Sequence, residues 1–213
     1  MRPFLSPKRC PGCEIRKALC FCDLIPKLET KTRVLILMHT CEEVLTSNTA
    51  KLAAKSLTNS ELRIHGREHT PMSFDGLVSP DSTSLLLFPS AKAIVLDADW
   101  VSTIDKPIQL IVPDASWRQT TRFVRRTHGL AGIQHVKLPP GPPSEYLLRA
   151  QATDENLCTL EAIARALGIL ESESVQRQLE WILRVLVERT LWSRGQLKAS
   201  ECKVAGIPIE AQC

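Results

Sequence analysis

The chain has 213 residues, 44% of them hydrophobic and 23% charged, a balance that belongs to a globular protein and excludes disordered and collagen-like chains. Lys and Arg outnumber Asp and Glu by 27 to 23, a formal charge of +4, which permits an acidic partner without requiring one. No apolar run approaches the roughly 20 residues needed to cross a bilayer, and the start MRPFLSPKRCPGC carries no apolar stretch behind its charges, so the chain reads as cytoplasmic, with no membrane partner and no secretory signal.

Residues 1–28 hold four of the eight cysteines together with Pro3, Pro7, Pro11 and Pro26 and few aliphatic side chains, which reads as a small arm ahead of a larger domain, 29–213. Cys10, Cys13, Cys20 and Cys22 form C-x2-C-x6-C-x-C, two close pairs that let four thiolates converge on one zinc ion. Such a site supplies on the order of 10 kcal/mol of apparent binding free energy, which a segment with little core of its own needs in order to fold. Free thiols or disulfides are the alternative, opposed by a reducing compartment and by the strain of a C-x-C bridge. Four thiolates leave no open position, so the ion would be structural. Lys8, Arg9, Arg16 and Lys17 are interleaved with the cysteines, and read either as phosphate contacts or as a solvated charged loop.

From Thr32 the pattern becomes short runs rich in Val, Ile and Leu: RVLILM, LRI, SLLLF, AIVLD, IQLIVPD and QHVKL. They alternate with helical stretches at about 48–57, 116–126, 158–167 and 174–192, which predicts an α/β domain with a mostly parallel sheet. Residues 63–81 read as mostly irregular. Leu138 to Ser144, LPPGPPS, must be a loop. Gly168 is placed to stop the third helix. Val175, Leu179, Ile182, Val185, Leu186 and Arg189 recur at helical spacing, so the stripe of the last helix should lie on the sheet. After Arg194 the signal fades into a tail.

Two strand ends carry the chemistry. RVLILM runs into HTCEEVLTSNTAKLA. A polar segment between a parallel strand and the next helix is where α/β sheets place ligand groups, so His39, Glu42, Asn48 and Thr49 are candidates, with helix capping and core packing as the alternatives. IQLIVPDASWRQTTRFVRR puts Asp114 at a strand tip and Ser116-Trp117 at a helix start. The carboxylate then either acts on a substrate or caps the helix. On that helix Arg118, Arg122, Arg125 and Arg126 fall within about 100° of arc, with Trp117 and Val124 on the opposite side, so one face is basic and the other packs.

HTCEEVLTSNTAKLA resembles an H-x-x-E…N-T-x-x-L segment, PDASWRQTTRFVRR a D-x-[TS]-W segment, and YLLRAQATDENLCTLEAIARAL a Y-x-L-R…L-[SC]-T-x-E-A segment of the DTW-domain proteins. With the cysteine arm in front, the resemblance spans Cys10 to about Leu167. It implies a SPOUT-like sheet with a C-terminal trefoil knot over about Leu85 to Leu167, and transfer of a 3-amino-3-carboxypropyl group from S-adenosylmethionine to N3 of a tRNA uridine. The donor would lie against Leu87, Phe88, Pro89 and Ser90, against Leu138, Tyr146, Leu148 and Arg149, and against Leu157, Thr159 and Glu161. Asp114 would be the base, with Ser116 and Trp117 beside it. Arg149 would hold a carboxylate or phosphate. With tRNA as the substrate, the residues already singled out by their own pattern, His39, Glu42, Asn48, Thr49, Arg16, Lys17 and the four helix arginines, would face it, the arginines either as a phosphate-backbone track or as merely solvated surface. Ser116 stands where the family name has Thr, which keeps the hydroxyl and loses a methyl. An RNA methyltransferase on the same scaffold, or a zinc-knuckle RNA-binding protein without turnover, remains open on the sequence, as does the choice between monomer and homodimer.

Overall fold

The computed structural model describes residues 7–149 and 156–212. The first six residues of the arm, the stretch 150–155 inside the third resemblance segment, and Cys213 lie outside the described residues. Six strands form one sheet: β1 (Arg33–His39), β2 (Ser60–His65), β3 (Thr83–Leu87), β4 (Ile94–Val95), β5 (Ile108–Asp114) and β6 (Gln134–Lys137). Their order is β2-β1-β5-β3-β6-β4, and every pairing is parallel. The helices are α1 (Thr40–Glu43), α2 (Thr49–Ser56), α3 (Ala98–Ser102), α4 (Trp117–Arg126), α5 (Thr159–Leu170), α6 (Glu173–Ser193) and α7 (Ile209–Gln212).

The strands read as unbroken apolar runs because the sheet is covered on both sides. Val34 and Ile36 of β1 and Leu110 and Val112 of β5 face one core with α2, α5 and α6. Leu35, Leu37 and Ile111 point the other way, into a smaller core with Leu77, Leu130 and Ile133, against which Phe123 and Val124 of α4 pack. Side chains alternate across a strand, so one apolar run serves two cores.

Several expectations need correction. α5 does not stop at Gly168 but continues to Leu170; Gly168 sits where the Gln176 side chain of α6 presses on its backbone and leaves no room for a Cβ. The α6 stripe packs against α5 and α2 rather than directly on the sheet. Trp117 does not share a packing face with Val124: it is 50% exposed at the start of α4. The segment after Arg194 is not a loose tail, because Glu188 accepts the Lys203 and Val204 amides at 3.0 and 2.9 Å. Ile207 is buried in the main core, and α7 returns to the turn Lys17–Leu19. Among the described residues no helix is long and apolar enough to cross a membrane.

The arm packs on this body. Ile15, Leu19 and Phe21 are buried in the same core as α2 and α6. Arg189, buried on α6, donates to the carbonyls of Leu19 at 3.0 Å and Cys20 at 2.6 Å. Lys51 pairs with Glu14 at 2.8 Å, and Lys55 donates to the Gly12 carbonyl.

Candidate active site

β1 and β5 are neighbours inside the sheet, and the chain leaves them toward opposite faces, β1 to α2 over the larger core and β5 to α4 over the smaller one. Such a divergence opens a crevice at the carboxyl ends of the strands, where α/β sheets hold ligands. Two cavities fill it, and both touch Ala115, Trp117, Asn156, Leu157 and Thr159.

The smaller cavity, about 290 Å³, is polar. Pro113 has no N–H for the ladder, pairing ends at the next residue, and Asp114 is left at the tip of β5, 5% exposed. Its Oδ1 accepts from the Thr159 hydroxyl at 2.5 Å and its Oδ2 from Asn48 Nδ2 at 2.8 Å. The same Asn48 amide reaches Glu42 Oε2 at 3.3 Å, while Asn48 Oδ1 caps α2 through the Lys51 amide at 3.1 Å. Arg149 pairs with Glu42 at 3.1 Å and donates to Ser47 Oγ, and the Tyr146 hydroxyl donates to the Ser47 carbonyl at 2.7 Å. Two carboxyl groups thus share this cavity with one guanidinium among its described residues. Burial pushes the Asp114 carboxyl above the ordinary carboxylate value, with the Thr159 and Asn48 hydrogen bonds opposing and the Glu42 charge adding to the rise.

The larger cavity, about 690 Å³, is lined by Leu87, Phe88, Pro89, Val95, Val112 and Leu138 and by the proline loop at 139–142, with Lys137 and Arg165 as its charged groups among the described residues. Its apolar walls and volume suit a nucleoside.

Ten of the sequence candidates line the small cavity: Glu42, Asn48, Thr49, Asp114, Ser116, Trp117, Tyr146, Arg149, Leu157 and Thr159. The Ser116 hydroxyl is engaged in a capping box with Gln119, at 2.6 Å to its Oε1. Leu87, Phe88, Pro89 and Leu138 line the large one. Ten candidates stand outside both, four of them held elsewhere in the body and six exposed on the arm and α4. Ser90 turns to His135 at 2.8 Å. Leu148 is buried in the main core. Glu161 is 3% exposed because its carboxylate takes the Ser144 hydroxyl and the amides of Glu145 and Cys158, which ties the loop after the prolines to the start of α5. His39 caps α1 through the Cys41 amide and packs edge-on against His65, which stacks on Phe123. Burial, with His39 nearby, lowers His65 to about 4. Arg16 and Lys17 are exposed on the arm, and the four α4 arginines are exposed on that helix.

Sequence reasoning missed Ser47, Cys158, Lys137 and Arg165 as cavity residues. Lys137 ends β6, so the strand-tip argument that found Asp114 applies to it as well. Nothing in the local pattern marks Arg165.

In the arm, the sulfurs of Cys10, Cys13, Cys20 and Cys22 all lie within 4.8 Å of one another. The contacts Cys10 to Cys20, Cys10 to Cys22 and Cys13 to Cys20 measure 3.3, 3.6 and 3.8 Å. Tetrahedral thiolates at a zinc–sulfur distance of about 2.3 Å stand about 3.8 Å apart, so the four residues fit a zinc ion closely.

Fold and site together define an α/β domain with a ligand crevice at its topological switch point, preceded by a four-cysteine knuckle. The chain belongs to the DTW-domain family, whose model matches residues 7–191. It is 28% identical over 207 residues to the tRNA-uridine aminocarboxypropyltransferase 2 of Macaca fascicularis, covering 94% of this chain and 70% of that protein. The tRNA-uridine aminocarboxypropyltransferase A of Arabidopsis thaliana is likewise 28% identical, over 84% of this chain and 79% of its own length. Among solved structures, the SAM-dependent rRNA:acp-transferase Tsr3 from Vulcanisaeta distributa is similar at a TM-score of 0.47 and 18% identity, over 81% of this chain and 80% of that one.

Proposed function

We propose that this protein transfers the 3-amino-3-carboxypropyl group of S-adenosylmethionine to N3 of a uridine in tRNA, releasing methylthioadenosine. The observation that carries the reading is Asp114, a buried carboxyl group inside the smaller, polar cavity, whose chain neighbours Pro113 and Ala115 wall the apolar one. The family and the names of the relatives supply the reaction class; the residues supply a way to perform it.

The donor is a sulfonium whose side-chain methylene is electrophilic and whose sulfur is a good leaving group. Leu87, Phe88, Pro89 and Leu138 enclose its nucleoside, and the Asp114 and Glu42 carboxylates offset its positive charge. Arg149 takes the amino-acid carboxylate with its planar fork. Asp114 accepts the proton of uridine N3 as the nitrogen electron pair forms the bond to the methylene carbon and the carbon–sulfur bond breaks onto sulfur. Its raised affinity for protons brings it nearer to the nitrogen it must deprotonate. Trp117 offers a half-exposed ring at the mouth, on which a base can stack.

The same reading divides the chain into a zinc arm, 1–28, and a catalytic domain, 29–213. It runs the trefoil knot from Leu85 to Leu167, as the resemblance to the family implies. Cys10, Cys13, Cys20 and Cys22 would hold a zinc ion that gives the arm rigidity and, with four thiolates, would leave no open coordination position.

The test is incubation with unmodified tRNA and S-adenosylmethionine, followed by mass spectrometry of nucleosides and small products. An aminocarboxypropyl uridine with methylthioadenosine is expected. A methylated nucleoside with adenosylhomocysteine, or no product from folded protein, overturns the reading.

A further inference from the structure

Four arginines separate α4 from the rest of the molecule. Arg118, Arg122, Arg125 and Arg126 are exposed, and none has a hydrogen-bond or ion-pair partner among the described residues. Arg16 aside, every other described arginine is held by a carboxylate or a carbonyl. The helix WRQTTRFVRR contains no acid that could neutralise them from within. Its opposite side is anchored, with Phe123 and Val124 on the smaller core and His65 stacked on Phe123 at 3.7 Å. The cations therefore sit on a fixed rod instead of a loose loop.

The rod points at the site. Trp117 in its first turn touches both cavities, and the arginines follow from the next residue onward. Eight residues of helix separate Arg118 from Arg126, a rise of about 12 Å, on the order of three phosphate steps along one strand. Guanidinium groups present forks that match phosphate oxygens, and their arc of about 100° keeps all four on one side.

We infer that the outer face of α4 binds the phosphodiester backbone of the RNA substrate and leads the strand to the cavity mouth at Trp117. The inference rests on the transferase reading for the identity of the RNA, and on the charge and position of the helix for the surface. A protein partner of acidic character would meet the same charge, but the face begins at the mouth through which a nucleotide must enter.

The experiment uses the full chain with zinc present and measures tRNA binding between 50 and 200 mM salt. The variants are R122Q/R126Q and the quadruple R118Q/R122Q/R125Q/R126Q, with R177Q as control, since Arg177 is exposed and paired to Glu173 on α6. Each phosphate contact removed should lower the slope of log K against log salt by about 0.7 to 0.9, so the double variant loses roughly 1.5 and the quadruple roughly 3. In turnover the loss should fall chiefly on KM for tRNA, with only a small fall in thermal midpoint, because these side chains make no hydrogen bond or ion pair among the described residues and only Arg125 and Arg126 meet the C-terminal end of the helix dipole. R177Q should keep the wild-type slope. An unchanged slope and affinity in the quadruple variant overturns the inference, even where transfer is observed. A reduced slope without any transfer supports the surface while the transferase reading fails.

Discussion

Replacing Asp114 with Asn separates the cost of the carboxylate from its use. Asp114 is 5% exposed, and burial raises its folded proton affinity above the ordinary value of 3.8. Between that value and the raised folded one, the native state holds more protons than the unfolded chain, so stability falls as pH rises through the window and stays lowered above it. An amide carries no charge to desolvate. It keeps an acceptor for Asn48 and gives the Thr159 hydroxyl an N–H to accept, so D114N should melt higher than wild type at pH 8 and by a smaller margin at pH 4. Transfer should fall by about 10² to 10⁴, the span of general-base catalysis, or roughly 3 to 5 kcal/mol of barrier. Single-turnover release of methylthioadenosine measures the rate. The wild-type acid limb should lie above the normal carboxylate range and be absent from the residual activity of D114N. Transfer within tenfold of wild type would remove Asp114 as the base, and a lower melting temperature at pH 8 would refute the burial argument.

Chelation should extract one zinc per chain, read by a metal-sensitive dye, and lower the melting temperature of the whole protein, because Ile15, Leu19 and Phe21 belong to the main core; loss of zinc without any change in melting would detach the arm from that core. Lys51 holds Glu14 at 2.8 Å and the Glu43 carbonyl at 2.6 Å, pinning the loop that carries Ser47 and Asn48. K51M, which leaves the nearly buried Glu14 unpaired, should cost about 2 to 3 kcal/mol in denaturant titration and slow transfer beyond any change in tRNA affinity; unaltered stability would show the pair to be dispensable. At Gly168 a methyl displaces Gln176 and its 2.8 Å hydrogen bond to Glu180, so G168A alone should gain nothing, whereas adding Q176A should reveal the helical preference for Ala, about 1 kcal/mol in chemical denaturation. A stabilising G168A single variant would show that the contact carries no cost.

The strands were legible because a doubly covered parallel sheet writes itself as continuous apolar runs, and Asp114 because Pro-Asp after such a run marks where the ladder ends. What failed depended on partners distant in sequence. Trp117 has the composition of a core residue, yet the helix turns it to the cavity mouth and leaves Phe123 and Val124 to pack. Glu161 stands in a segment shared with the family but spends both oxygens on residues 144, 145 and 158, a role that needs the folded loop to be seen. Gly168 has the look of a helix stop, and only the neighbouring helix explains it. The arm looked poor in core because its few apolar residues are buried against α2 and α6 instead of one another.

Helix capping and site chemistry, alternatives on the sequence, turn out to be the same contacts. Asn48 caps α2 with one end of its amide and holds Asp114 and Glu42 with the other. Ser116 caps α4, and Cys158 and Thr159 open α5, with Thr159 giving its hydroxyl to Asp114. Three helix N-termini thus meet around one cavity. Each carries partial positive charge on its free amides, so together they favour negative charge where two carboxylates already lie. The Thr159 and Asn48 hydrogen bonds, which come from two of these helix starts, work against the desolvation that raises Asp114. Truncating Asn48 to Ala should therefore act twice, lowering the melting temperature by loosening α2 and moving the acid limb of transfer further up by removing a hydrogen bond that holds the Asp114 carboxylate.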